Sequence, residues 1–311
     1  MATVNMRHEI GATFQMRVSK KDGTIVSETT EFHNLVLDSG LERMGVGIWL
    51  QNCRVGSGSS EPIPTQQRLD NTIATTTNIL SSSNVTNTTI KPYYKATRHT
   101  FRFSEGAAAG NLTEVGLGWT QSGDVPCWSR ALIKDSNGNP TTLTILSDEI
   151  LDVIATVRVY PSEYISGNFN FKDKFGNVLS EHAYSGYLYL PSTSNTAAIS
   201  TFQIAELIIY TGASYLETPT SNIQGTILVT KTAMNRNLIT PTLKQHNIVL
   251  GLTEGNGSCD GFRVLTDGIY SNSSASASRH GYKATIDPPI VKTNAMEITW
   301  RVNLTWGRYV T

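Results

Sequence analysis

Hydrophobic and polar positions alternate along much of this chain. Phe14, Met16 and Val18 alternate with Thr13, Gln15 and Arg17, and Phe101 and Phe103 flank Arg102. Val153, Ala155, Val157 and Val159 alternate with Asp152, Ile154, Thr156 and Arg158. Near the end of the chain, Ile298, Trp300, Val302, Leu304 and Trp306 are interleaved with Thr299, Arg301, Asn303 and Thr305. A period of two sends successive side chains to opposite faces of a strand, so each run predicts a strand with one dry and one wetter face. Asp22-Gly23, Asn137-Gly138, Gly176-Asn177 and Asn256-Gly257 supply turn residues that tolerate a positive φ. Tight turns join antiparallel neighbours, so the sheets are expected to be antiparallel.

One helix is expected. Ser39-Gly40-Leu41-Glu42 has the spacing of a capping box, with Ser39 as N-cap, and Gly45 and Gly47 stop it after one or two turns. A second short helix could follow Gln66. The segment from Thr75 to Thr89 is almost all Thr, Ser and Asn and fits either a loop or a polar edge hairpin; Ser271 to Ser278 is a second such stretch.

The chain also repeats itself in order. Asp22 to Glu28 resembles Phe175 to Glu181, and the preceding strands match, Met16 and Val18 against Phe169 and Phe171. Arg130-Ala131-Leu132-Ile133 resembles Lys283-Ala284-Thr285-Ile286, and Leu151 to Val157 resembles Met296 to Val302. These matches predict an all-β chain of two tandem antiparallel β-sandwich (jelly-roll-like) domains, 1–161 and 162–311, joined near Pro161-Ser162-Glu163, with one or two short helices.

Composition narrows the function. The 311 residues carry 25 Lys and Arg against 25 Asp and Glu, and charged residues make up only 16%. Nucleic-acid affinity comes mostly from phosphate neutralisation, so a neutral chain is not expected to bind nucleic acid directly. About three residues in ten are Ser, Thr or Asn, a composition of short strands and turns. The first ten residues are polar, so no secretory signal is expected. The apolar stretch from Ile204 to Tyr210 is interrupted by Glu206 and too short for a membrane span, so no membrane insertion is expected. Cys53, Cys127 and Cys259 are odd in number and far apart, which predicts free buried thiols rather than a metal site or a disulfide framework.

Motifs with a chemical look have plainer readings. Val55-Gly56-Ser57-Gly58 lacks the Lys of a nucleotide-binding loop and is followed by Glu61 and Pro62, so a strand ending in a glycine-rich turn is expected. Asp135 to Asn139 begins like a calcium loop but has Pro140 and Leu146 where that loop needs Gly and Glu, so a hairpin turn is expected. His8, His33, His99, His182, His246 and His280 lack metal-ligand spacing. His33, Asp38 and Ser39 are the residue types of a hydrolytic triad, but Ser39 is better used as a cap. Asp148, Glu149 and Asp152 are expected as solvated turn residues. No catalytic, metal or cofactor residue is therefore expected. Trp300 is assigned to the core, whereas Trp306 and the tyrosine-rich strand with Tyr187 and Tyr189 are expected to face a partner. Thr86 and Asn87, in the polar segment, join them as candidate partner contacts.

The first half also resembles a family. Asn34-Leu35-Val36-Leu37-Asp38-Ser39-Gly40-Leu41 resembles an opening seen in tailed-bacteriophage virion structural proteins. Val55-Gly56-Ser57-Gly58, Pro62 to Pro64, Leu69-Asp70, Leu112-Thr113-Glu114-Val115-Gly116-Leu117, Trp128 to Ile133 and Asp148 to Val159 follow in the order of that family. The resemblance covers roughly the first 160 residues; the second half lacks the Asp-x-Gly-Leu and Val-Gly-x-Gly segments. It implies a non-enzymatic β-sandwich of the tail, collar, baseplate or fibre apparatus, made in the host cytoplasm and located in the virion. Its implied partners are copies of itself and other virion proteins. A capsid decoration protein, or a fibre-tip protein that binds or depolymerises a host surface glycan, are the alternatives. A neutral surface lowers repulsion between like subunits, as symmetric assembly requires.

Overall fold

The computed structural model describes residues 1–121, 123–173, 175–191, 197–271 and 279–310. The chain is nearly all β, with several sheets. Its first half runs through β1 (Ala2–Lys20), β2 (Ile25–Glu28), β3 (Phe32–His33), β4 (Leu35–Val36), α1 (Asp38–Val46), β5 (Asn52–Gly56) and β6 (Thr72–Thr76). It continues with β7 (Ile79–Asn87), β8 (Tyr94–Phe103), β9 (Gly110–Leu112), β10 (Glu114–Gly118), β11 (Cys127–Leu132), β12 (Leu143–Ile145) and β13 (Glu149–Pro161). The second half contains β14 (Tyr164–Lys172), β15 (Val178–Tyr189), β16 (Ala197–Ile199), β17 (Ile204–Ser214), β18 (Gln224–Lys231) and β19 (Asn235–Thr240). It ends with β20 (Leu243–Leu250), β21 (Gly257–Thr266), β22 (Ile269–Ser271), β23 (His280–Lys292) and β24 (Ile298–Arg308).

The alternating runs form the strands they predict. Ile298, Trp300, Val302, Leu304 and Trp306 are all buried along β24, while the residues between them are half-buried. Gly23, Gly138, Gly176 and Gly257 adopt the positive φ expected at their turns.

A nine-stranded sheet follows the order β19-β20-β24-β1-β13-β8-β7, with β2 and β3 also paired to β1. A five-stranded sheet has the order β4-β11-β10-β5-β6, and a six-stranded sheet the order β14-β15-β23-β21-β17-β18. Two small ladders, β9 with β12 and β16 with β22, complete the pairing.

The largest sheet crosses the junction expected at Pro161. β1 pairs antiparallel with β13 of its own half and parallel with β24 from the far end, with Ala2 opposite Trp300 and Ile10 opposite Arg308. This parallel pair departs from the antiparallel expectation, because the two strands are separated by almost the whole chain and no tight turn joins them. Side chains from all three large sheets meet in one buried cluster, from Val4 and Phe14 through Trp128 and Val157 to Phe262 and Trp300.

The order of pairing nevertheless recurs. β4-β11-β10-β5-β6 in the first half and β15-β23-β21-β17-β18 in the second match in spatial order and in chain order. Likewise β7-β8-β13 corresponds to β19-β20-β24.

Among the described residues α1 is the only helix. Its N-cap is Leu37, not Ser39, and no side chain caps it. Ser39 lies inside the first turn and donates instead to the Cys127 carbonyl. The helix entrance is held by backbone, the Leu37 amide on the Trp128 carbonyl and the Asp38 amide on the Pro64 carbonyl. The segment after Gln66 is not helical; it is drawn into the loop network described below.

Candidate functional site: a buried motif network and open strand edges

β10 and β11 are buried along their whole lengths, yet each carries one charge, Glu114 and Arg130. A charge in a dry strand is costly unless it is paired and hydrogen-bonded. Here it is both. Arg130 Nε donates to Glu114 Oε2 at 2.9 Å, Nη2 to Asp70 Oδ2 at 2.7 Å and Nη1 to Ser60 Oγ at 3.0 Å. Glu114 Oε1 accepts the amides of Gly58 and Asn71, each at 2.9 Å, and Oε2 accepts the Asp70 amide at 3.1 Å. Burial pushes the Asp70 carboxyl up, but hydrogen bonds from Ser60 and the Arg130 guanidinium outweigh it and hold it below its ordinary value.

This network joins the motifs of the first half. The Val-Gly-x-Gly segment supplies Gly58, Leu69-Asp70 supplies Asp70, the Thr-Glu-x-Gly-Leu strand supplies Glu114, and β11 supplies Arg130. The remaining motif residues are also framework. Asn34 Oδ1 accepts the Ala12 amide, Asp38 is ion-paired to Arg308, and a Cβ on Gly40 would lie 2.3 Å from the Trp128 carbonyl oxygen. The glycine-rich turn is therefore filled by a carboxylate of the chain itself, in agreement with its reading as a strand end.

Gly56 is needed because a Cβ there would stand 2.3 Å from the Asn71 carbonyl oxygen and 2.6 Å from Glu114 Oε1. Gly56→Ala is expected to lower stability by ~1–3 kcal/mol, the range for overpacking. Gly307→Ala, where nothing lies within 4 Å, should stay within ~0.5 kcal/mol of the parent. Urea unfolding followed by tryptophan fluorescence compares them; equal midpoints for the two variants would overturn the assignment.

The second half holds a cation at the corresponding place. Lys283, matched to Arg130 in the repeat, is buried on β23 and donates through Nζ to the carbonyls of Thr218 and Ser221, at 2.8 and 2.6 Å, and to Ser221 Oγ. Its Nζ lies 5.8 Å from the Tyr187 ring and 5.7 Å from the Tyr215 ring, and burial lowers its pKa to about 8. In both halves a buried cation, on β11 or β23, thus pins the loop between two paired strands of its sheet, β5 and β6 or β17 and β18.

Three of the five candidate contact residues are not presented at the surface. Trp306 is buried, and its Nε1 donates to the Leu41 carbonyl at 2.8 Å. It grips α1 from the second half, as do Lys244 Nζ on the Gly45 carbonyl and the Phe202 amide on the Met44 carbonyl. Tyr187 is buried against Tyr164 and Lys283, and Tyr189 is buried with Arg263 over its ring. Thr86 is half-buried, and the Asn87 side chain organises the turn that follows it, donating to the Ile90 and Pro92 carbonyls. Glu149 and Asp152, expected in solvent, are buried: Glu149 accepts the Leu146 amide and Asp152 forms a two-point pair with Arg102. Asp148, by contrast, is exposed and paired to Lys20.

The remaining chemical candidates are also accounted for. His33 is exposed, while Asp38 and Ser39 face Arg308 and the Cys127 carbonyl. Asp135 caps its own hairpin turn through the Asn137 and Asn139 amides. The three cysteines are free and buried. Among the described residues no group of three or more His, Cys, Asp or Glu could hold a metal ion, and no helix is long and apolar enough to cross a membrane.

What the fold presents is strand edges. The Thr75 to Thr89 segment holds the end of β6 and the whole of β7, the edge strands of two different sheets. β7 and β19 terminate the two ends of the nine-stranded sheet, and β19 is exposed at every residue. Each carries exposed aliphatic residues, Ile79 and Leu80 on β7 and Leu238 and Ile239 on β19. An exposed edge strand with apolar side chains, such as β19, is a template for pairing with another chain. The Ser271 to Ser278 stretch lies, apart from its first residue, outside the described residues.

No protein-family model, no curated protein and no solved structure matches this chain.

Proposed function

We propose that this protein is a non-enzymatic structural component of a tailed-phage virion, associated with the tail and assembled in symmetric copies. The observation that carries the reading is the convergence of the ordered first-half motifs on the Arg130–Glu114–Asp70 network. That Gly58, Asp70, Glu114 and Arg130, each from a different motif, share one network supports reading the resemblance as one of framework. The finer fold reading belongs with it: two diverged copies of one β-sandwich, 1–161 and 162–311, that lend β1 to a common sheet. Exposed β19 suits contacts between copies or with neighbouring virion proteins, because strand addition uses backbone hydrogen bonds and needs little charge.

Immunogold labelling of purified particles, with antibody raised against the chain, tests the proposal. Gold at the tail, collar or baseplate is the expected result. Gold confined to heads would replace the tail assignment with capsid decoration, and particles without label would overturn the structural reading.

A further inference from the structure

A tyrosine-lined pocket opens where the chain's start, middle and end meet. Its volume is about 250 Å³, and its walls include Tyr93, Tyr160 and Tyr309 together with Arg7, Glu9 and Glu163. Tyr160 and Tyr309 stack with ring centroids 3.9 Å apart and planes at 16°. Tyr94 braces Tyr160 edge-on at 5.6 Å, and the Arg158 guanidinium covers Tyr94 at 5.4 Å. The Tyr309 amide donates to the Ile10 carbonyl at 2.8 Å, which fixes that ring beside β1. The platform is therefore rigid, while Tyr93, Tyr160 and Tyr309 are each left half-buried. Polar groups converge on the same opening: Arg7 is paired to Glu9 at 3.1 Å, and Glu163 to Lys91 at 2.7 Å.

We propose that this pocket binds one ring of a carbohydrate. A tyrosine π-face is electron-rich, and the C–H-bearing face of a sugar ring is its apolar, positively polarised complement. Sugar hydroxyls need both kinds of partner, and here the Glu9 and Glu163 carboxylates accept while the Arg7 guanidinium donates, in charge-assisted bonds. A pocket smaller than the ~300–1,000 Å³ typical of drug-sized ligands suits a single ring, with the rest of the glycan outside. One such contact is weak, but symmetric copies would multiply it through avidity. The site uses none of Tyr187, Tyr189 and Trp306; the pocket itself does not depend on the virion assignment, whereas the avidity and the choice of bacterial glycans rest on it.

The test is an array of bacterial capsule and O-antigen oligosaccharides, with hits titrated by calorimetry against the full chain. The expected result is retention of at least one oligosaccharide, and affinity at least tenfold weaker in Tyr309→Leu and Glu9→Gln. Tyr309→Leu keeps apolar bulk at the edge of the fold while it removes the π-face, the hydroxyl and the stack on Tyr160, so loss of binding does not require unfolding. Leu216→Ala, at an exposed residue away from the pocket, should bind as the parent does. Retention of no oligosaccharide, or equal affinity in the parent and Tyr309→Leu, would overturn the proposal.

Discussion

Arg130→Met is expected to destabilise the folded chain by ~3–5 kcal/mol, the cost of breaking a buried ion pair from one side. The methionine fills much of the arginine volume, so the loss is electrical rather than a cavity. Glu114 keeps the Gly58, Asp70 and Asn71 amides but loses the Arg130 cation paired with its fully buried carboxylate. Asp70 and Ser60 lose the Arg130 donor as well, which leaves the loop between β5 and β6 tied to β11 by the Cys127 amide on the Gln67 carbonyl. Against a total stability of ~5–15 kcal/mol this is a large fraction. Arg130→Lys should fall between the two, since one ammonium cannot reproduce a planar fork that reaches Glu114, Asp70 and Ser60 together. Adding Glu114→Gln to Arg130→Met should restore part of the loss, because the uncompensated charge disappears while an acceptor oxygen remains. Arg7→Met, at an exposed pair with Glu9, should cost no more than ~1 kcal/mol. Denaturant midpoints decide the matter; an Arg130→Met midpoint equal to that of Arg7→Met would show that the network does not hold the first half together.

How much of this was legible in the sequence depends on whether a feature is local. The alternation of β1, β13 and β24 is a local pattern, and it placed the apolar positions inward, but Thr13, Asp152 and Ile154 on the other face are buried as well, under neighbours that local spacing does not reveal. The same alternation puts Trp306 on the face of Trp300, so the expectation that it met a partner contradicted its own strand. Tyr187 and Tyr189 lie where β15 becomes buried on both faces, a consequence of the loop that Lys283 pins over that strand end. Ser39 had the spacing of an N-cap, but a tertiary acceptor, the Cys127 carbonyl, took its hydroxyl. The parallel pairing of β1 with β24 leaves no trace in local spacing. Glu114 and Arg130 did leave one, a single charge in each of two apolar strands. The sequence could say that each needed a partner, but only the register of β10 on β11 shows that they partner each other.

Acidification below pH 6.5 is expected to destabilise the chain, through histidines buried in the neutral form. His8 on β1 lies 5.1 Å from His280 on β23, stacks on Tyr282 and meets Phe202 edge-on. None of the four ring nitrogens of His8 and His280 is hydrogen-bonded. Burial pushes the His8 pKa down to about 3, and burial, His8 and Lys95 push His280 down as well. His246 on β20 accepts the Ile204 amide through Nε2 at 3.0 Å, a bond that protonation would break. Burial, aided by the Lys244 and Arg236 cations, lowers its pKa to about 3. Above the unfolded value of 6.5 both states are neutral and these groups add no pH dependence. As pH falls from 6.5 towards about 3, the unfolded chain takes up protons that the folded chain refuses, so stability falls. Near pH 5 the loss is ~2 kcal/mol for each of His8 and His246. Carboxylates ordinarily titrate near ~4, so a loss complete to this extent by pH ~5 belongs to the histidines. Urea midpoints should therefore fall steeply between pH ~7 and ~5, and His8→Phe should flatten the slope by about one proton. A midpoint that is constant over that range, or a slope unchanged in His8→Phe, would show that the rings gain partners on protonation. The expected order of events follows from position: His8 and His280 face each other between β1 and β23, and His246 ties β20 to β17, so each proton taken up loosens the nine-stranded sheet from the six-stranded one.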